Sequence, residues 1–163
     1  VLGGFGTGVA LVAAHDAQGR AHGLIVNSLT SVSLHPPIML WCLGLQCAAF
    51  DVFTTCTAFT LNILGAEGEP IARQFSSRGD RIIPPEQVVL MATGAPALAA
   101  ALSSIDCRMR ARQLVGDHEV IFGDVGAYRT TARPEAEAEA LGYFQGRYVR
   151  LSRGPKAEEE PTP

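Results

Sequence analysis

Charge is scarce in this sequence. Charged residues make up 18% of its 163 positions and the formal net charge is −3. A nucleic-acid protein would instead carry a basic face. Long apolar runs are also missing: none approaches the ~20 residues of a membrane-spanning helix. The longest, Pro36 to Leu45, has the length of a strand buried on both faces. No Gly-x-Ser-x-Gly elbow and no His-Glu-x-x-His helix is present, so hydrolysis has no visible machinery. The four cysteines, Cys42, Cys47, Cys56 and Cys107, sit in apolar segments with no Cys-x-x-Cys pair and no zinc spacing. No metal site is expected. Reduced thiols, and no signal peptide in view, lead us to expect a cytoplasmic protein.

What is present is a chain of short strand signals. The length suits one domain with one real core. Thr7 to Ala14 and His22 to Asn27 are extended in pattern around a turn at Asp16 to Gly19, which predicts a hairpin. Ser28 to His35 is Ser- and Thr-rich and stops at Pro36-Pro37, as a loop would; Ile38 to Leu43 is the buried strand. A short helix is expected from about Cys47, since Ala49, Phe50 and Phe53 recur at helical spacing. In Ala58 to Leu64, Phe59, Leu61 and Ile63 alternate with Thr60 and Asn62, a half-buried strand. Pro70 suits the first position of a second helix, with Ile71 and Phe75 on one face.

Ser76 to Met91 is expected to be irregular. Ile105, Cys107, Met109 and Ala111 alternate with Asp106, Arg108, Arg110 and Arg112, giving a strand with an apolar and a charged face. Asp117 to Val125 alternates again. Pro134 to Leu141 has helix propensity, Tyr143 to Leu151 is strand-like, and Ser152 to Pro163 is a Pro/Glu-rich disordered tail. Many short strands with few short helices, and no βαβ alternation, predict a mainly β antiparallel barrel over residues 1–151.

Gly4, Gly6 and Gly8 suggest a dinucleotide loop, but such a loop follows a strand and opens a helix, whereas these glycines run into a strand. His15, His22 and His35 lie beside turns or loops without evident ligand partners. The remaining signal is an ordered set: Thr7-Gly8-Val9, then Asn27-Ser28 with Thr30-Ser31-Val32-Ser33 and Pro36-Pro37, then Asn62, Gly116-Asp117-His118, Tyr143-Phe144 and Gly146-Arg147-Tyr148.

That order and spacing resembles the short-chain flavin reductases, from about Gly6 to Leu151. The resemblance implies an FMN-binding split barrel: antiparallel strands with a few short peripheral helices, assembled as a homodimer. It implies an NAD(P)H:flavin oxidoreductase that reduces FMN or FAD with NADH or NADPH and supplies a partner monooxygenase. A flavin-dependent oxidase or monooxygenase on the same fold, or a flavin- or ligand-binding protein without turnover, are the alternatives. The cofactor-binding residues it implies are Val26, Asn27, Ser28, Leu29, Ser31, Gln46, Cys47, Asn62, Phe75 and Tyr148, with His118 catalytic beside the flavin and nicotinamide. Loop amides and short hydroxyls in Val26 to Ser31 suit the hydrogen-bonding edge of a flavin ring, and the helix after Cys47 is placed for its phosphate. The pattern of His118 with Val120 and Phe122 is equally that of a structural histidine, and Tyr148 and Phe144 fit a core as well as a site. The chain has Ile25, Cys47 and Ala49 where the family commonly supplies hydroxyls, and His35 where it often has Asp.

Overall fold

A computed structural model describes residues 1–76, 81–131 and 139–152. Among them are twelve strands and two α-helices. The strands are β1 (Thr7–Gly8), β2 (Ala10–His15), β3 (Ala21–Val26), β4 (Thr30–Leu34), β5 (Pro37–Gly44), β6 (Ala58–Ile63), β7 (Val88–Leu90), β8 (Pro96–Leu98), β9 (Ser103–Val115), β10 (His118–Thr130), β11 (Ala140–Phe144) and β12 (Arg147–Leu151). Helix α1 (Phe50–Thr55) follows β5, and α2 (Glu69–Ser76) follows β6. Seven strands form one antiparallel sheet in the order β3-β2-β6-β9-β10-β5-β4; β1-β11-β12 form a second sheet and β7-β8 a third.

The large sheet curls on itself because side chains from six of its strands converge on one apolar cluster. Val12, Trp41, Leu43, Phe59, Leu61, Cys107 and Ile121 meet there with Phe53 of α1. Trp41 sits edge-on to Phe53 and Phe59, with ring centroids 5.5 and 5.9 Å apart. β2 presents Ala10, Val12 and Ala14 to this barrel core. Its opposite face gives Leu11 and Ala13, with Val9 just before it, to a second core with Ala72, Phe75, Ile83 and Leu141. Small alanines let two cores press on one strand. The hairpin predicted around Asp16 forms as β2–β3. Burial alone would raise the Asp16 carboxyl. The Arg20 amide, His22 imidazole, Arg20 guanidinium and Gln18 amide outweigh it and hold the group well below the usual carboxylate range.

Several expectations change. Ser28 to His35 is not all loop: Thr30–Leu34 pairs with β5, with a register shift between Ser31 and Ser33. β-branched Thr30 and Val32 favour that extended edge. β5 is not buried on both faces; Trp41 and Leu43 are buried while Ile38, Met39, Leu40 and Cys42 are half-buried. β6 is more buried than expected, because β2 and β9 flank it and both of its faces are covered. The charged face of β9 turns inward at Asp106, which is fully buried and accepts from the Thr93 amide and hydroxyl. Within Ser76 to Met91, Val88–Leu90 is a strand. Of the predicted helix at Pro134 to Leu141, residues 134–138 lie outside the described residues, and Ala140 and Leu141 begin β11. Of the tail, residues 153–163 likewise lie outside them. No helix among the described residues is long and apolar enough to cross a membrane. The four cysteines are free, and burial pushes the Cys56 and Cys107 thiols up to about 11 and about 12.

Asn62 has a complete set of partners inside the protein. Its Nδ2 donates to the Leu11 carbonyl at 2.9 Å and to Thr60 Oγ1 at 2.8 Å. Its Oδ1 accepts from the Leu98 amide at 2.9 Å and the Ser104 hydroxyl at 2.8 Å. Replacing it with an isosteric apolar residue, Asn62→Leu, strands all four in a dry environment. The expected loss is about 2–4 kcal/mol in urea unfolding.

Candidate functional site

The site grows from the corner where β3 gives way to β4. Val26 ends β3 buried, Asn27 is exposed, and the Ser28 hydroxyl accepts the Cys42 amide of β5 at 3.0 Å. That bond pins the corner and leaves the Ser28 O–H to donate outward. Two hollows meet here. The larger, of about 710 Å³, runs from Val9, Ile25 and Asn27 to Arg73 and Ser76 of α2 and to the β11–β12 hairpin. The smaller, of about 400 Å³, lies between the 5–10 segment and Asn27, Ser28, Leu29 and Thr30. Val9 and Asn27 line both, so the two hollows adjoin there and form two arms on either side of that shared wall.

The aromatic wall of the larger arm depends on a tight turn. Tyr143 pairs with Tyr148 across β11–β12, and Phe144 with Arg147, leaving Gln145-Gly146 as the connection. Both turn residues have positive φ, 48° at Gln145 and 77° at Gly146, which is the twist a two-residue hairpin requires. The turn carries Arg147 into the cleft beside Tyr148. The two tyrosines meet edge to face with centroids 5.5 Å apart, and the Arg73 guanidinium lies 5.2 Å from the Tyr148 ring centroid. The arm therefore has an apolar floor, a π wall and two cationic groups.

The expected site residues fall into five places, the last of them the core. Val26, Asn27 and Tyr148 line the larger arm, and Asn27, Ser28 and Leu29 the smaller. Ser31 is exposed on β4. Gln46, Cys47 and His118 gather at the far end of β5–β10. There His118 pairs with Gly44, the Leu45 amide donates to the Asp117 carbonyl, and the Cys47 amide to that of Gly44. The sheet connects this end to the corner, since Cys42, bonded to Ser28, also pairs with Val120. His118 is 48% exposed and shares a 2.7 Å hydrogen bond between its Nδ1 and Asp117 Oδ1. That bond and the imidazole's charge hold the Asp117 carboxyl below the usual range.

Three expectations change. Asn62 is fully buried with its amide saturated by the core, so it has nothing to offer a ligand. Phe75 is fully buried as well, its ring packed against Gly23 and Leu11. Ala49, read as a lost phosphate donor, is a buried core residue at the start of the six-residue α1. Sequence reasoning missed Arg73 and Ser76. The usable signal was the four-residue step from Glu69 to Arg73, which puts both on one face of a helix whose other face carries Phe75.

A cleft with hydroxyl and amide donors at its corner, an aromatic wall and two arginines suits large, planar, anionic nucleotides. A buried hydroxyl, Thr7 Oγ1, has no partner among the described residues and belongs to the segment lining the smaller arm. The donors fit a flavin, whose ring edge needs hydrogen bonds and whose phosphate needs cations or amides. Fold and site together define a nucleotide-binding split barrel. Residues 2–152 match the flavin reductase like domain, and the chain belongs to that family. It is 35% identical over 118 residues to the actinorhodin polyketide dimerase of Streptomyces coelicolor, covering 72% of this chain and 67% of that one. It is 32% identical over 152 residues to the FMN reductase (NADH) SmoA of Agrobacterium fabrum, covering 93% and 83%. The structure of a Streptomyces globisporus NADH:FAD oxidoreductase in complex with NAD and FAD fragments superposes with a TM-score of 0.83 at 29% identity. That match covers 96% of this chain and 91% of the other.

Gly146 occupies a left-handed conformation with open space around it. Gly146→Ala is therefore expected to cost about 1–2 kcal/mol through backbone strain alone. Urea denaturation checks the value, and a loss near zero would mean that the hairpin re-forms with a different turn.

Proposed function

We propose that this chain is an NAD(P)H:flavin oxidoreductase, one flavin reductase-like domain over residues 1–151, that reduces FMN or FAD. The observation that carries the reading is the pair of adjoining arms that share Val9 and Asn27. One arm is walled by hydroxyls and loop amides, the other by tyrosines and arginines. The flavin belongs in the smaller arm, with its hydrogen-bonding edge toward Asn27, Ser28 and Leu29. The nicotinamide nucleotide belongs in the larger arm, beside Tyr148 and Arg147. When both are bound, hydride passes from the nicotinamide to the flavin, and the protein's task is to align two rings at the shared corner.

His118 serves as a positioning group. Its Nδ1 is engaged by Asp117, which leaves Nε2 toward Gly44 and the mouth of the strand end. Gln46 lies on the same end and would offer its amide to a phosphate, while the Cys47 amide is held by the Gly44 carbonyl. Exposed Val32 and Leu34 on the edge strand β4 and the half-buried outer positions of β5 are what a homodimer would cover. Free cysteines suit the cytoplasm, where nicotinamide nucleotides are supplied. An open cleft suits release of reduced flavin to a partner monooxygenase. The similarity to a protein named polyketide dimerase favours a second reading, a flavin-dependent enzyme that keeps its flavin and acts on an organic molecule. Retention of yellow flavin through purification would support the second reading over the first.

Three measurements follow. NADH or NADPH absorbance should fall with added FMN or FAD and stay constant without it; no loss of either nucleotide with either flavin overturns the reading. His118→Ala should lower kcat/KM for NADH about tenfold to a hundredfold by misplacing the rings. Its Tm should hardly move, because the side chain is half-exposed; a large fall in Tm with intact kinetics would make His118 structural. Light scattering at micromolar concentration should give twice the chain mass, as an interface of ~2,000 Å² or more requires.

A further inference from the structure

Arg73 and Tyr148 stand together on the wall of the larger arm, and Glu69, just behind that wall, is bonded to Arg73. Glu69 opens α2 and Arg73 follows one turn later, which sets their side chains on one face of the helix. Arg73 donates through Nε at 2.8 Å and through Nη2 at 2.6 Å to the same oxygen, Glu69 Oε1. Its guanidinium rests over Tyr148, which is braced by Tyr143. The Arg73 and Glu69 side chains are 66% and 40% exposed, so the pair does little for the fold and can change partners. A guanidinium on a nucleotide cleft is a phosphate receptor, since its planar fork matches two phosphate oxygens. Here part of that fork is already engaged by a carboxylate.

We propose that Glu69 makes this arm discriminate against a nicotinamide nucleotide bearing a 2′-phosphate, so that NADH is used in preference to NADPH. The proposal rests on the reading that the larger arm takes the nicotinamide nucleotide. The two nucleotides differ by one phosphate on the adenosine ribose. With Glu69 on Arg73, the pair is neutral and gives a 2′-phosphate beside it no unpaired cation, and the carboxylate repels it; the arm's other cation, Arg147, stands on the hairpin next to Tyr148. A ribose 2′-hydroxyl meets no such conflict, because a carboxylate accepts from it; an acidic residue plays that part in other dinucleotide sites, where arginine serves the 2′-phosphate. Tyr148 holds the guanidinium by cation–π contact in the cleft. Removing the Glu69 charge therefore leaves a cation in place and available.

The test compares kcat/KM for NADH and NADPH, with FMN present, in the wild-type chain, Glu69→Gln and the double variant Glu69→Gln/Arg73→Gln. The wild type should favour NADH. Glu69→Gln should raise the NADPH-to-NADH ratio roughly tenfold, the gain of about one charge-assisted contact. The double variant should lose that gain. A ratio in Glu69→Gln within twofold of wild type, or a gain that survives in the double variant, overturns the proposal. A variant-free measurement stands beside these: adenosine 5′-phosphate should inhibit the wild type more strongly than adenosine 2′,5′-bisphosphate, and the reverse order overturns the proposal. If the wild-type chain oxidises neither nucleotide with FMN or FAD, the reading of the arm itself has failed; oxidation of both with an unchanged ratio rejects only the role of Glu69.

Discussion

Strands β2 and β6 run side by side through the middle of the large sheet with both faces covered, and a strand in that position can carry polar groups only if each is matched. Asn62 meets the requirement with two donors and two acceptors used inside the protein, on β2, β6, β9 and the β8 segment. Thr60 relays the set to the Pro96 carbonyl, and Asp106 ties β9 to the Thr93 turn. A buried polar network of this kind is costly when incomplete and specifying when complete. It fixes which residues of β2 and of β9 stand opposite those of β6 between them. From that register follow the two cores, one on each side of β2.

The cleft sits where those two cores part. The barrel core closes around Trp41, Phe53 and Phe59, and the second core packs α2 and the β11–β12 hairpin against the outside of β2. Val9, just before β2, belongs to the second core and also lines both arms. The floor of the site is thus part of the packing, while its donors stand on the short corner between β3 and β4. Corner and floor are held by different forces, the first by the Ser28–Cys42 hydrogen bond and the second by burial. A rigid floor beneath adaptable donors suits a site whose work is to align two flat ligands.

The walls of the larger arm come from segments far apart in sequence. α2 supplies Arg73, and the hairpin supplies Tyr143, Arg147 and Tyr148. The cation–π contact between Arg73 and Tyr148 joins them. The thiols of buried Cys107 and half-buried Cys56 stand apart from this region, the first within the barrel core and the second packed against it. The cleft arms thus hold hydroxyls, amides, arginines and tyrosines, a set suited to binding and orientation.

The sequence by itself determined the number and order of most strands, because alternation with a period of two survives wherever one face is wet, as along β9 and β10. It also determined the hairpin at Asp16, the two helices, and the corner residues Asn27 and Ser28, whose short polar side chains stand out between apolar runs. Only the tertiary structure decided the rest. Asn62 and Phe75 look like site residues in the sequence because a polar residue on a strand and an aromatic on a helix read the same whether they face a ligand or a core. Burial, set by neighbours many positions away, assigned both to the core. Arg73 had the opposite fate: an ordinary helix-surface arginine in the sequence, it lines the cleft because a hairpin seventy positions later folds back and lays Tyr148 beneath it. Local pattern carries the period of an element; what lies across from each face is a property of the long-range packing alone.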